Sequence, residues 1–240
     1  MIDLSAVLGT ELIQGFSRTD AVALFWFVLC WIGYTAYANK VSLTRQCLAS
    51  VMAEHREAWM QALLGRDNRV ADAALLANLE RNVSFFASST LLILAGVVAV
   101  LGSGEDVLNI SAKLPFDMAV SEHAWEAKLL ILSALFVYAF FKFSWSLRQY
   151  GFASVLVGRA PVKMDVNDSA GQQYAKHAAK VISRAAYAFN LGLRSYYFGL
   201  AYLVWFLNPW AFMLATAWVV GVLYRREFRS KVLKALIAVR

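Results

Sequence analysis

The residue most able to do chemistry lies inside a long apolar segment. Across residues 186–223 the strongly charged side chain is Arg194. Three polar or aromatic residues recur around it at helical spacing, so that one face of a helix carries Tyr187, Asn190, Arg194 and Tyr197. A polar face of this kind should be turned toward protein or a water-filled pocket, because an arginine is costly to expose to lipid.

Two interpretations of Arg194 are open. In the structural interpretation, which we favour from the sequence, the guanidinium bonds Glu80, a backbone carbonyl or a lipid phosphate. Its removal would then leave a buried partner unpaired. In the alternative, the polar face is a site for an anion or a lipid headgroup.

A second set of charged and polar residues flanks the predicted membrane segments on one side. They are candidates for lipid headgroup contacts, although ordinary anchoring at the membrane interface also explains them. The set consists of Glu80, Arg81, Asn82, Lys142, Arg148 and Arg184.

No catalytic or metal-binding motif accompanies these residues. The sequence has no phosphate-binding glycine loop, no HExxH and no nucleophile elbow. Glu122, His123 and Glu126 offer possible metal ligands, but their spacing is not diagnostic. The sequence therefore predicts a non-enzymatic protein with no catalytic residues, no metal and no cofactor.

The composition indicates a membrane protein. Of the 240 residues, 60% are hydrophobic and only 16% are charged, whereas soluble domains are about a quarter charged. The net charge of +7 would suggest nucleic acid in a soluble protein. Here the basic residues flank apolar segments, so membrane topology explains them and no nucleic-acid partner is expected.

Five apolar segments predict an all-α integral membrane bundle, a single domain covering residues 1–240. The last two segments form a hairpin, because Asn208-Pro209 interrupts an apolar run too long for one membrane helix. A single long kinked helix is the alternative. The predicted spans are 21–38, 83–101, 125–146, 187–207 and 209–224.

Amphipathic helices outside the lipid complete the predicted fold. Hydrophobic residues recur at helical spacing between charged ones in these segments. The predicted helices are 42–64, 70–81, 169–185 and 226–239, whereas 102–124 and 149–168, which contain glycine and proline, are predicted loops.

Basic residues set the predicted orientation. Segments 39–81, 142–185 and 225–240 hold 19 of the 23 Lys and Arg residues, and five spans place all three segments on the same side. Because Lys and Arg collect on the cytoplasmic side, the N-terminus is expected outside and the C-terminus inside the cell membrane.

Three segments together resemble a known membrane family. They are RNVSFFASST at 81–90, FKFSWSLRQY at 141–150 and FNLGLRSYYF at 189–198. The chain is similar, from about residue 20 to 230, to the uncharacterised family catalogued as domain of unknown function 599. The resemblance implies a membrane protein of bacteria and plants and assigns no activity.

The expected role is that of an inner-membrane scaffold or accessory subunit. Its partners would be anionic lipids of the inner leaflet and either further copies of itself or other membrane subunits. The alternative is a small oligomeric transporter or channel with an anion site at Arg194. A water-filled cavity that reaches Arg194 would favour this second role.

Overall fold

The computed structural model describes residues 16–42, 44–103, 122–161 and 168–239. Within these ranges the chain is helical and contains no strand, so the predicted all-α fold is confirmed there. A short 3-10 turn, Val204–Phe206, separates the fifth and sixth helices. The α-helices are α1 Arg18–Val41, α2 Leu48–Leu64, α3 Val70–Gly102, α4 Glu122–Arg159, α5 Ser169–Leu203, α6 Pro209–Phe228 and α7 Lys231–Ala238.

Three of the described helices, α1, α3 and α4, are long and apolar enough to cross a membrane. The other two predicted spans lie on α5 and α6. Arg194 interrupts the apolar run of α5, and the last turn of α6 carries Arg225 and Arg226. The membrane character of the bundle is supported, whereas the number of five spans stays a prediction.

Two helices are longer than the segments predicted for them. α3 joins the predicted helix 70–81 to the predicted span 83–101 without a break, because no helix-breaking residue separates them. α5 likewise joins 169–185 to 187–203. At 1.5 Å per residue, each helix exceeds the roughly 30 Å of a bilayer core. Each therefore has room for a membrane-crossing part and a part outside the lipid.

The prediction of a loop over 149–168 is wrong for its first half, because α4 runs on to Arg159. Tyr150, Ala153 and Val157 are buried on this extension and pack in the same hydrophobic cluster as the first half of α5. This burial outweighs the low helix propensity of the glycines. The helix ends just before Pro161, as expected for residues preceding proline.

Two other boundaries differ from the predicted ones. α2 begins at Leu48 rather than at residue 42, because the Cys47 backbone is extended and its N–H donates to Ser50 Oγ. The segment 226–239 is not one helix: α6 continues to Phe228, and Ser230 caps the separate helix α7. Most of the predicted loop 102–124 lies outside the described residues.

The predicted break at Asn208-Pro209 is confirmed, and the alternative of one kinked helix is wrong. Asn208 Oδ1 accepts hydrogen bonds from the N–H groups of Trp210 and Ala211, which caps α6. α5 and α6 then run antiparallel. Tyr202 contacts Phe212 beside the turn, and Arg226, near the end of α6, contacts Tyr197.

The centre of the bundle is the antiparallel pair α4 and α5. Their contacts extend from Tyr202, whose hydroxyl donates to the Lys128 carbonyl, to Tyr174, whose hydroxyl donates to the Leu156 carbonyl. α3 packs on α4, α2 on α5, and α1 on α6. This arrangement leaves one long face of α5 for α1, α2 and α6, and that face carries Arg194.

Candidate functional site

A cavity of about 330 Å³ opens between α1, α2, α5 and α6. It lies where α1 ends and α6 approaches its last turn. Its charged lining residues are three arginines and one glutamate, so its formal charge is positive. The polar side chains around it include Asn39, Arg56, Tyr187, Asn190, Arg194, Tyr197, Arg226 and Glu227.

The structure places the whole predicted polar face of α5 in this cavity. The opposite face of α5 is made of small and apolar residues, such as Ala185 and Gly192, and is buried. Gly192 allows a close approach of α4: an added Cβ would lie 2.5 Å from the Phe143 ring. Packing of the small-residue face on α4 therefore turns the polar face toward α1 and α6.

Arg194 stands over an aromatic ring rather than beside a carboxylate. Its guanidinium carbon lies 5.3 Å from the centroid of the Tyr34 ring, a favourable cation–π geometry. Its Nη1 atom is buried and has no hydrogen-bond partner among the described residues. The predicted partner Glu80 lies elsewhere, where its carboxylate accepts a hydrogen bond of 2.9 Å from Ser154. Arg194 thus lines the cavity and keeps one buried donor without a partner.

Hydrogen bonds from neighbouring helices hold the two tyrosines of the polar face, Tyr187 and Tyr197. The Asn39 amide donates to the Tyr187 hydroxyl at 2.7 Å, which ties α1 to α5. Arg226 donates to the Tyr197 hydroxyl and lies 5.3 Å from the centroid of its ring, which ties α6 to α5. These bonds place a second guanidinium in the cavity.

Glu227 is the acid of the cavity, and its carboxylate is already engaged. Its Oε1 atom accepts the backbone N–H of Ala49 at 3.0 Å, in the first turn of α2. Carboxylates are stabilised at such helix N-termini. Within the described ranges, no ion pair joins a cavity arginine to a carboxylate. With three arginines against one glutamate, the described lining of the cavity keeps a net positive formal charge.

Arg56 brings a third guanidinium from α2, outside the predicted spans. Burial lowers the pKa of Arg56 from its ordinary value, and the Tyr150 hydroxyl acts in the opposite direction. A lowered arginine pKa means that the charged form has lost solvation without gaining a matching anion. An anionic ligand in the cavity would restore that balance.

The structure does not bring the remaining candidate residues to this cavity. Glu80 and Arg81 lie on α3, no described residue of which lines the cavity. The Arg81 guanidinium donates to the Asn78 side chain. Lys142 and Arg148 lie over the rings of Tyr138 and Phe152, at 5.0 and 5.5 Å. Asn82 and Arg184 are exposed and, like the others, are not part of the cavity lining. Headgroup contacts by these residues stay a prediction.

A second charged cluster lies at the opposite end of α1. Lys128 Nζ is 3.0 Å from Asp20 Oδ1, and both residues are buried. Trp205 donates its ring N–H to the same oxygen at 2.7 Å, and Ser17 donates its hydroxyl to the other oxygen at 2.7 Å. Lys128 also lies 4.9 Å from the centroid of the Trp205 ring. In this cluster the Lys128 ammonium and the Asp20 carboxylate neutralise each other.

Sequence reasoning missed this second cluster and half of the first. Asp20 directly precedes the predicted span 21–38 and Lys128 lies within the predicted span 125–146, and no spacing in the sequence links the two residues. Arg56 and Arg226 contributed to the prediction of topology without being assigned to a site. The available signal was that Arg56 is an arginine on a helix that must pack against another element.

Comparison with known proteins assigns the chain to a family. No curated protein and no solved structure matches it. The family described as "Protein of unknown function, DUF599" matches residues 22–232, which include every arginine of the cavity. The resemblance noted in the sequence is thus confirmed. On this match, which covers most of its length, the chain belongs to the DUF599 family.

Proposed function

We propose that the protein is a non-enzymatic, five-span inner-membrane protein that binds a phosphate-type anion in the cavity around Arg194. The observation that carries this proposal is the excess of guanidinium groups: Arg56, Arg194 and Arg226 share one cavity with a single, already bonded acid. Arginine donors match the geometry of phosphate oxygens. The buried, unpartnered nitrogen of Arg194 supplies a specific donor for such a ligand.

The size of the cavity fits a small anionic group. Small-molecule sites range from about 300 to 1,000 Å³, and this cavity holds about 330 Å³. Leaving a buried donor unsatisfied costs about 1–3 kcal/mol, and an anion that accepts its hydrogen bond would offset that cost. The ligand chemistry is that of a phosphate ester, carried either by a lipid headgroup or by a soluble molecule.

The proposed topology places this cavity on the cytoplasmic side. It counts α5 and α6 as the fourth and fifth spans, and the exposure of apolar side chains on α6 supports that count. Leu214 and Trp218 are 74% and 76% exposed, which suits a surface that faces lipid. The positive-inside rule then puts the C-terminus inside and the N-terminus outside.

In the cell the protein would act as a scaffold or accessory subunit that contacts inner-leaflet lipids. The exposed apolar side chains of α1 and α3, among them Phe25, Phe85 and Leu92, supply surface for lipid or for another subunit. Assembly into a homo-oligomer or a larger membrane complex is part of this proposal. A monodisperse monomer in native nanodiscs, with nothing copurifying, would contradict the assembly.

One observation favours the second candidate, a transporter or channel for an anion. The cavity is open and reaches Arg194. On the other side of Arg194, however, the aromatic rings of Phe27, Phe198, Tyr202 and Phe212 pack in contact. Transport would require this layer to open, whereas headgroup binding would not. We therefore place binding first.

The test measures anion binding and anion flux in the same preparations. Purified protein in nanodiscs is titrated with glycerol phosphate, and proteoliposomes report the uptake of labelled phosphate. We expect binding that weakens about tenfold or more in Arg194→Gln and in Arg56→Gln, with Arg159→Gln, an exposed arginine outside the cavity lining, as a matched control. Equal affinity in all variants would overturn the proposal, and flux that Arg194→Gln abolishes would favour the transporter.

A further inference from the structure

An apolar groove lies beside the basic cavity, between α1 and α6. It has a volume of about 480 Å³. Small side chains line its middle, and two tyrosines lie toward the ends of both helices. The residues that define it are Cys30, Gly33, Tyr37, Ala217, Gly221 and Tyr224. In the proposed topology this groove faces the inner half of the bilayer.

One residue joins the groove to the cavity. Tyr34 lines both of them, and its ring is the one under the Arg194 guanidinium. Tyr34 is 6% exposed, so its packed ring forms part of the wall of each space. A polar, positively charged space and an apolar, elongated one therefore meet at a single aromatic ring.

Glycine makes the groove. At Gly33 and at Gly221 an added Cβ would have no heavy atom within 4 Å, so neither glycine is required by close packing within the protein. Both residues are exposed. Larger residues at these positions would occupy the groove without displacing the helices, which makes the groove testable by substitution.

Aromatic rings mark the end of the groove nearest the basic residues. The Tyr37 ring lies 6.1 Å from that of Phe228, and the Tyr224 ring lies 5.1 Å from that of Phe228. The Arg229 guanidinium lies 5.9 Å from the Tyr224 ring. Tyrosine and arginine together are typical of the level where lipid headgroups begin. The groove thus runs from that level toward the middle of the membrane.

We propose that the ligand of this site is a single anionic phospholipid of the cytoplasmic leaflet, with its phosphate at Arg194 and one acyl chain in the groove of Gly33 and Gly221. This inference rests on the proposed function, because it uses the same cavity for the phosphate. A soluble phosphate ester would use the cavity alone. Charge complementarity supplies the headgroup contact, and the adjoining groove favours a lipid as its source.

The groove is expected to determine where the acyl chain lies more than to increase the affinity of the protein for the lipid. Lipid tails are as apolar as the groove, so moving a chain from the bilayer into it gains little free energy. The prediction is therefore about where the chain lies. An acyl chain that carries a photoreactive group reports its position directly by cross-linking.

The experiment uses the full protein in nanodiscs that contain trace phosphatidylglycerol with a photoreactive acyl chain. We expect cross-links to concentrate on residues 30–37 and 217–224. Phosphatidylcholine with the same chain should label the exposed faces of all the membrane-spanning helices instead, because its headgroup has no net negative charge. The same pattern for both lipids would overturn the inference.

Filling the groove supplies the second arm. Gly33→Leu together with Gly221→Leu should lower the phosphatidylglycerol cross-links there about tenfold. Gly96→Leu, on the exposed side of α3 where an added Cβ also meets nothing within 4 Å, is the matched control. Unchanged cross-linking of the groove residues other than the two substituted ones would contradict the proposal that the acyl chain lies in the groove.

Titration with glycerol phosphate separates the two possible failures. If the filled variant and the wild type bind it equally while neither shows lipid-specific labelling, the cavity stands and the lipid inference is wrong. If the wild type binds neither glycerol phosphate nor the lipid at this site, the proposed function itself is wrong.

Discussion

The two charged clusters lie toward opposite ends of α1 and differ in how their charges are matched. At the start of α1, Asp20 accepts hydrogen bonds from Ser17 and Trp205 and pairs with Lys128. Toward its end, Tyr34 and Asn39 line a cavity whose guanidinium groups outnumber its acids. The first cluster is closed by protein contacts, and the second is open to a ligand.

This difference distinguishes charged residues that stabilise the fold from charged residues that are available to bind a ligand. A buried ion whose counterpart is fixed by the fold cannot exchange it for a ligand without a large desolvation cost. An arginine with a buried, unbonded N–H is stabilised by a ligand that accepts a hydrogen bond from it. The Asp20 cluster should therefore govern stability, and the Arg194 cavity should govern binding.

The largest expected effect is on stability, at the closed cluster. Lys128→Met leaves the Asp20 carboxylate buried without its cation, so we expect a loss of about 3–5 kcal/mol. Thermal unfolding of the purified variant measures the loss, with Lys142→Met, over the Tyr138 ring, as the control. Asp20→Asn combined with Lys128→Met should recover part of the stability. A Tm of Lys128→Met equal to that of the wild type would contradict the claim that the Asp20 cluster, unlike the Arg194 cavity, stabilises the fold.

The second-largest effect is expected on the packing of α4 against α5, which turns the polar face of α5 toward the cavity. Gly192→Ala places a Cβ against Phe143, which is fully buried and stacked on Phe86. Because that ring has little room to move, overpacking should cost about 1–3 kcal/mol. Gly96→Ala meets no atom within 4 Å and should not destabilise. Equal Tm values for the two variants would mean that α4 and α5 approach less closely than described.

The smallest effect is expected at the rim of the cavity. Tyr187→Phe removes the hydroxyl that accepts the Asn39 amide, but Tyr187 is 43% exposed and water can replace the bond. We expect a loss of at most about 0.5 kcal/mol, measured by thermal unfolding against the wild type. A loss as large as that of Lys128→Met would show that the cavity is a structural cluster after all.

Local patterns made part of this architecture predictable. The spacing of the polar residues around Arg194 depends only on the geometry of one helix, and Asn208-Pro209 carries its own break and cap. Both features follow from a few neighbouring residues. The structure reproduces both of them.

Features that depend on packing between distant segments were not predictable in the same way. Helix propensity at Gly151 favours a loop, whereas the burial of Tyr150 and Ala153 keeps the chain helical. That Arg56 and Arg194 line one cavity depends on how α2 packs on α5, which periodicity does not specify. In the sequence alone Arg194 is one cation in need of a partner, which favours the structural interpretation.

The most direct test of the central claim compares the Tm of Arg194→Gln and of the exposed control Arg159→Gln in nanodiscs with and without phosphatidylglycerol. A ligand at about one hundred times its Kd stabilises by about 2.7 kcal/mol, or several degrees for a chain of this size. We predict that the wild type and Arg159→Gln gain this stability on adding the lipid, and that Arg194→Gln starts from the wild-type Tm and gains none. An Arg194→Gln variant that starts several degrees lower yet gains the full lipid shift would contradict the account and identify Arg194 as a structural residue.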